Sequence, residues 1–187
     1  GPPFWSPDGL SLLTNGRDMR GRNGIFRIDV QSGEATAVYL NDALSVLAEW
    51  SRDGKKVYFN RSGVLIERDL ASGLEREIDR ELNLRAGNLS PDGQYFIGSR
   101  TDSSTKTSSL MLVPVAGGPL RELLRLRQPE SIALAGSCTP EGNVVFTRDT
   151  GAGKEVWLVP VRGGQPRKLD IDPAIWWDGS VRGNQAF

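Results

Sequence analysis

The 187-residue chain contains no histidine. That absence removes histidine-based acid–base catalysis, the Ser-His-Asp triad and histidine-ligated zinc from this sequence. A single cysteine, Cys138, excludes an internal disulfide and leaves the redox compartment open. Excess charge of either sign is also missing, because 23 Lys and Arg balance 23 Asp and Glu. A dedicated nucleic-acid or membrane-surface binder normally carries a basic excess, so no nucleic acid is expected as a partner. No apolar run approaches the roughly 18–20 residues of a membrane span, so no membrane insertion is expected. No signal peptide is visible, but Gly1-Pro2 reads as a tag remnant, and a native leader would have been lost with it.

What the chain does have is turn chemistry. Its 22 glycines and 11 prolines lie between short apolar runs, which predicts many turns and an all-β fold. The stretch "FWSPDG" at 4–9 returns as "WSRDG" at 50–54, "LSPDG" at 89–93 and "CTPEG" at 138–142. A faded fifth copy, keeping only Ser and Gly, lies at 180–183. Anchored on Gly9, Gly54, Gly93, Gly142 and Gly183, the period is about 40–50 residues, the mark of a repeat architecture. A second anchor runs in step: "IFRIDVQSG", "LIERDLASG", "LMLVPVAGG" and "VWLVPVRGG" end at Gly33, Gly73, Gly118 and Gly164. Each reads as a strand entering a two-residue primed turn, where glycine supplies positive φ.

Each unit therefore reads as four strands, A to D. The Ser-Pro-Asp-Gly turn joins A to B, and the glycine turn joins C to D. "LEREIDREL" (74–82) and "LRELLRLR" (120–127) are locally good helix sequences, but register with the other units places them as strand D. The B–C loops vary most: "RDMRGRNG" (17–24), "RSG" (61–63), "RTDSSTKTSS" (100–109) and "RDTGAGK" (148–154).

"WSPDG" at 5–9, "LMLVPVAGGPLREL" at 110–123 and "VWLVPVRGGQPRKL" at 156–169 resemble the repeat of the TolB-like, or PD40, class of WD40-like β-propellers. The resemblance covers essentially the whole chain. It implies blades near 3–41, 42–83, 84–128 and 129–172, with part of a fifth at 173–187. It also implies a bacterial protein and favours a periplasmic or extracytoplasmic location. The class includes envelope translocation proteins, non-catalytic halves of prolyl-oligopeptidase-like peptidases, and sensor domains attached to kinases and regulators, so fold alone does not select among these. A ring that stops inside strand B of its fifth unit points to a fragment, or to a ring completed by another segment, with self-association through the incomplete blade.

In such a meander the B–C loops share one end of the ring. That end gathers Arg17, Asp18, Arg20, Arg22, Arg61, Arg100, Asp102, Lys106, Arg148, Asp149 and Lys154. These are the candidate surface for a protein partner or an acidic peptide. The competing reading is that the first Arg and Asp of each loop anchor nearby backbone and the rest are solvated. Asp8, Asp53 and Asp92 sit in separate units, so capping of their own turns is the expected role rather than metal binding. "GAGKE" (151–155) lacks the first glycine and the Ser/Thr of a phosphate loop, and no G-x-S-x-G elbow occurs. No cofactor or metal is expected. Trp5, Trp50, Trp157, Trp176 and Trp177 are expected to pack between blades. The functional expectation is a non-enzymatic binding module, with the propeller half of a peptidase or a sensor domain as alternatives.

Overall fold

The computed structural model describes residues 3–41, 48–80 and 83–172, and all regular structure among these is β-strand. β1 (Phe4–Trp5), β2 (Ser11–Arg17), β3 (Asn23–Asp29) and β4 (Ala35–Asn41) form the first sheet. The second comprises β5 (Ala48–Trp50), β6 (Lys56–Arg61), β7 (Val64–Asp69) and β8 (Glu75–Asp79). The third is β9 (Asn83–Leu89), β10 (Tyr95–Asp102), β11 (Thr107–Pro114) and β12 (Arg121–Arg127). β13 (Ser131–Cys138), β14 (Asn143–Asp149), β15 (Lys154–Pro160) and β16 (Arg167–Leu169) form the fourth. Every sheet is an antiparallel meander in chain order, so the described residues form four blades of the all-β propeller class. The expected partial fifth blade, with Trp176, Trp177 and the turn copy at 180–183, lies outside the described residues.

The described cores of both helix-like segments, Glu75–Asp79 and Arg121–Arg127, are strands. β8 pairs with β7 and β12 with β11, each with one register shift. The outer edge of strand C presents a row of N–H and C=O groups, and a fourth strand satisfies them where a helix could not. That long-range pairing outweighs the local preference for helix.

The Ser-Pro-Asp-Gly turn closes around its serine. The Ser6 N–H donates to Ser11 O (2.8 Å), and the Ser6 hydroxyl accepts from Ser11 N–H (2.9 Å) and reaches Asp8 Oδ1 (2.6 Å). Asp8 Oδ1 also accepts from Leu10 N–H at 2.9 Å, which is the expected aspartate cap. Ser51–Asp53 and Ser90–Asp92 repeat the arrangement, both at 2.6 Å. Ser6, Ser51 and Ser90 are buried, a role for the serine that the motif does not announce.

The fourth copy is one residue shorter. Thr139 N–H donates to Asn143 O, four residues on, whereas the serines reach five residues on. Counting from the glycine therefore puts the fourth unit one residue out of step, which in a strand exchanges its two faces. Counting from the closing residue restores the register: Val144 and Phe146 face the core as Val57 and Phe59 do.

The C–D connections are not two-residue primed turns. They span 30–34, 70–74, 115–120 and 161–166. In the first, Asp29 Oδ1 accepts from Gln31 N–H (3.1 Å), Ser32 N–H (2.8 Å) and the Ser32 hydroxyl (2.9 Å), and of these residues only Gly33 has positive φ, +73°. A primed turn of type I′ needs two successive positive φ values. Two successive positive φ values do occur at Gly117-Gly118 and Gly163-Gly164, inside six-residue connections, while the two-residue turn with such a pair is the B–C turn of the second sheet, at Ser62 (+53°) and Gly63 (+87°). The C–D connection is tied to the A–B turn in every blade: Val30 N–H to Leu10 O, Leu70 to Lys55, Val115 to Gln94 and Val161 to Gly142, at 2.8–3.0 Å.

Two compact units divide the chain, Gly1–Arg80 and Glu81–Phe187. In the first, Leu13, Ile25 and Val38 pack on Trp50, Val57, Phe59 and Ile66 of the second sheet. Trp50 is 5% exposed, and its Nε1–H donates to Phe4 O at 3.1 Å. In the second unit, Ile97, Leu110, Leu112 and Leu126 pack on Val144, Phe146 and Val159, with Trp157 against the cluster. Trp5 departs from the expected packing, being 53% exposed. It pairs with Leu12, on the face of the first sheet opposite Leu13.

Candidate functional site: the B–C loops

Since each sheet is a meander, its B–C loop leaves the end opposite the linked A–B and C–D turns. The four loops span 18–22, 62–63, 103–106 and 150–153, and each closes differently.

In the first loop Asp18 is the hub. Its Oδ1 accepts from Arg20 N–H (3.0 Å) and Arg22 N–H (2.8 Å), and its Oδ2 pairs with the Arg22 guanidinium at 2.8 Å. These bonds, the Arg22 N–H foremost, hold the Asp18 carboxyl below its usual range. Arg17 Nε donates to Asn23 Oδ1 at 2.9 Å, so it braces the base of the loop. Arg20 and the fully exposed Met19 stand at the tip.

The second loop is the Ser62-Gly63 turn, with Gly63 N–H donating to Asn60 Oδ1 at 2.9 Å. Arg61 points back along the sheet. It pairs with Glu75 at 2.7 Å, and its guanidinium lies 5.7 Å from the Tyr39 ring centroid.

In the third loop Asp102 Oδ1 accepts from Ser104 N–H (2.8 Å), the Ser104 hydroxyl (2.6 Å) and Thr105 N–H (3.2 Å). The Ser104 and Thr105 hydroxyls, followed by these backbone bonds, pull its carboxyl down to about 2. Lys106 closes the turn at φ +54°, the conformation that Gly33 holds in the similar Asp29 turn. Arg100 is exposed near the end of β10.

In the fourth loop Asp149 Oδ1 accepts from Gly151 N–H at 2.8 Å, and Thr150 N–H donates to Gly153 O at 2.9 Å. Lys154, exposed, opens β15, so "GAGKE" is a turn leading into a strand. Arg148 is held inside the unit. It pairs with Glu130 on the linker before β13, and its guanidinium lies 4.8 Å from the Trp157 ring centroid. The Trp157 Nε1–H in turn donates to Glu155, which pairs with Lys168 at 2.7 Å.

The candidate residues thus fall into two groups. Asp18, Asp102 and Asp149 cap their own loops, while Arg61 and Arg148 brace sheet and linker. Arg17, Arg20, Arg22, Arg100 and Lys154 are exposed, and Arg17 and Arg22 are bonded within their loop. Asp-x-Ser and Asp-Thr-Gly spacings in the loops carry the capping signal, and nothing local marks the Arg148–Glu130 pairing across 18 residues. A groove of about 470 Å³ also lies at the opposite, turn end of the second unit, lined by Pro91, Asp92, Pro140, Glu141, Pro160 and Arg162 among others.

No protein-family model and no curated relative matches the chain. Solved structures do. TolB from Acinetobacter baumannii superposes with a TM-score of 0.70 at 16% identity, over 90% of this chain and 43% of that one. An oligogalacturonate lyase from Vibrio parahaemolyticus gives 0.68 at 17% identity, over 88% of this chain and 50% of that one. Prolyl oligopeptidase B from Galerina marginata gives 0.69 at 16% identity, over 91% of this chain but 27% of that one. The chain spans half or less of each of these three proteins. At such identities the likeness establishes architecture, and the chain has the fold of the TolB-like β-propellers.

Proposed function

We propose that this propeller segment is a non-enzymatic protein- or peptide-binding module whose B–C loops form the recognition surface. The observation that carries the reading is the contrast between the two ends of the blades. The turn end repeats one hydrogen-bond scheme four times, while the loop end has four loops of different closure. Variable loops on a constant scaffold are where recognition concentrates. The exposed cations Arg17, Arg20, Arg22, Arg100 and Lys154 suit an acidic peptide, and the capping aspartates keep the first, third and fourth loops in shape without ligand.

A displayed random peptide library, selected against the immobilised chain, tests this. Acidic peptides should be enriched, and Arg17→Glu with Arg20→Glu should weaken them about tenfold or more at low salt. Arg162→Glu, at the turn end, should leave them unchanged. Peptides lost with Arg162→Glu but kept by the loop variants would move the site to the turn-end groove and refute the reading.

A second reading is the non-catalytic propeller half of a prolyl-oligopeptidase-like serine peptidase, favoured by the superposition over 91% of this chain. Its nucleophile and base would stand outside residues 1–187, which lack histidine. A G-x-S-x-G motif and a later histidine in the flanking gene sequence would decide for it.

A further inference from the structure

We propose that the turn-end groove of the second unit is a docking site for an extended, lysine- or arginine-bearing segment of a partner protein. The groove, about 470 Å³, lies between the A–B turn of the third sheet and the A–B and C–D turns of the fourth. Its walls come from two adjacent blades of one compact unit. The same step between the first two blades is closed. There a Cβ placed on Gly54 would meet Pro7 Cδ at 3.6 Å, so the proline of one turn covers the glycine of the next. A Cβ placed on Gly142 would meet nothing within 4 Å, so Pro91 leaves its counterpart uncovered. The uncovered glycine belongs to the shorter, Thr139 turn.

The lining says what fits. Pro91, Pro140 and Pro160 offer flat apolar contact and no N–H. Asn143 adds a half-buried amide. Its Nδ2 makes one long bond, 3.5 Å to Thr139 Oγ1, which leaves the amide with capacity both to donate and to accept. Such an amide can bond the N–H and C=O of one residue in an extended peptide. Charge then selects the peptide. Asp92 and Glu141 line the groove with Arg162, and all three are exposed. The Thr139 hydroxyl holds the Glu141 carboxyl below its usual range, so it stays ionised at neutral pH. Arg121 of β12, which donates to Val161 O, is already engaged, its guanidinium 5.7 Å from the Tyr95 ring centroid. A lysine or arginine can lay its methylenes on the proline rings while its charged head meets the carboxylates. An acidic segment would meet two like charges there. This preference is opposite to the one proposed for the loop end, so probe and variant both tell the two sites apart.

Amide chemical shifts of the isotope-labelled chain, titrated at low salt with an alternating Lys-Ala hexapeptide and separately with an alternating Glu-Ala hexapeptide, test this. The lysine peptide should shift the Gly142, Val161 and Gly163 amides saturably, and the glutamate peptide should not. Glu141→Gln, at an exposed position, should weaken the lysine peptide about threefold, and Asn143→Ala should weaken it as well. Arg162→Glu should tighten it. Arg17→Glu with Arg20→Glu should leave these shifts unchanged, so the result stands whether or not the loop end binds acidic peptides. No saturable shift at the three amides, a preference for the glutamate peptide, or indifference to both Glu141→Gln and Asn143→Ala overturns the proposal.

Discussion

Replacing Ser90 by alanine removes a buried hydroxyl whose only obvious sequence role is to begin a turn. Ser90 is 2% exposed, its hydroxyl accepts from Tyr95 N–H at 2.9 Å, and it donates to Asp92 Oδ1 at 2.6 Å. The neutral bond contributes about 1 kcal/mol and the carboxylate bond about as much again, after discounting for an exposed aspartate. The expected cost is therefore about 2 kcal/mol, or roughly 4–8 °C in Tm for a chain of this length. Thr139→Ala is the internal control. Its hydroxyl stands 3.3 Å from Asn143 N–H, beyond good hydrogen-bond range, and keeps a bond to the exposed Glu141 carboxylate, so the cost should be about half that of Ser90→Ala. Urea denaturation followed by both fluorescence and circular dichroism gives the two values, and coincident transitions justify comparing them. Equal costs for the two variants, or a Ser90→Ala protein as stable as wild type, would refute the assignment of the serine as the hub of the turn.

Three further outcomes follow from the same geometry. Lys106→Gly relieves a positive φ that lysine rarely adopts and should stabilise the chain by about 0.5–1 kcal/mol in thermal melts, with a loss of stability arguing against the turn. Gly24→Ala would bring a Cβ to 2.4 Å from Tyr39 O and 2.9 Å from Leu40 Cδ2, and should cost about 2–3 kcal/mol. Gly153→Ala, with open space around it, should be nearly neutral, and the difference is read from urea midpoints. Asp8, Asp18, Asp29, Asp53 and Asp69 are held below the usual 3.8, and Asp102 is drawn down to about 2. A depressed carboxylate stabilises the fold above its unfolded value and loses that contribution as protons bind. The urea midpoint should thus decline between pH 4 and 2, less steeply at its acid end in Asp102→Asn, and a flat profile there would contradict the capping bonds.

The repeat was legible because turn chemistry is local. Proline presets φ, aspartate caps its own backbone and glycine tolerates positive φ, so Ser-Pro-Asp-Gly announces a turn wherever it occurs. Its recurrence gave the blades, the loop positions and the strand order without any contact being known. The assignment of "EREID" and "RELLRLR" to strands came from that order too, against their own preference for helix. In the candidate site, the aspartate caps could be read from spacing, whereas the bracing of Arg61 by Glu75 and of Arg148 by Glu130 could not. Those partners lie 14 and 18 residues away, and side-chain direction decides whether they meet.

By itself, then, the sequence determined that this chain is a succession of four-stranded blades joined by capped turns, because those instructions are written within a few residues of one another. Tertiary structure alone decided which side of each strand is interior. One residue fewer between Thr139 and Asn143 than in the serine turns would have reversed the faces of β14, had pairing not set the register anew. The same two-residue alternation leaves Trp5 on the outer face of the first sheet while its counterpart Trp50 is buried. Burial depends on which sheet arrives to cover a face, and a local turn motif carries no instruction about that.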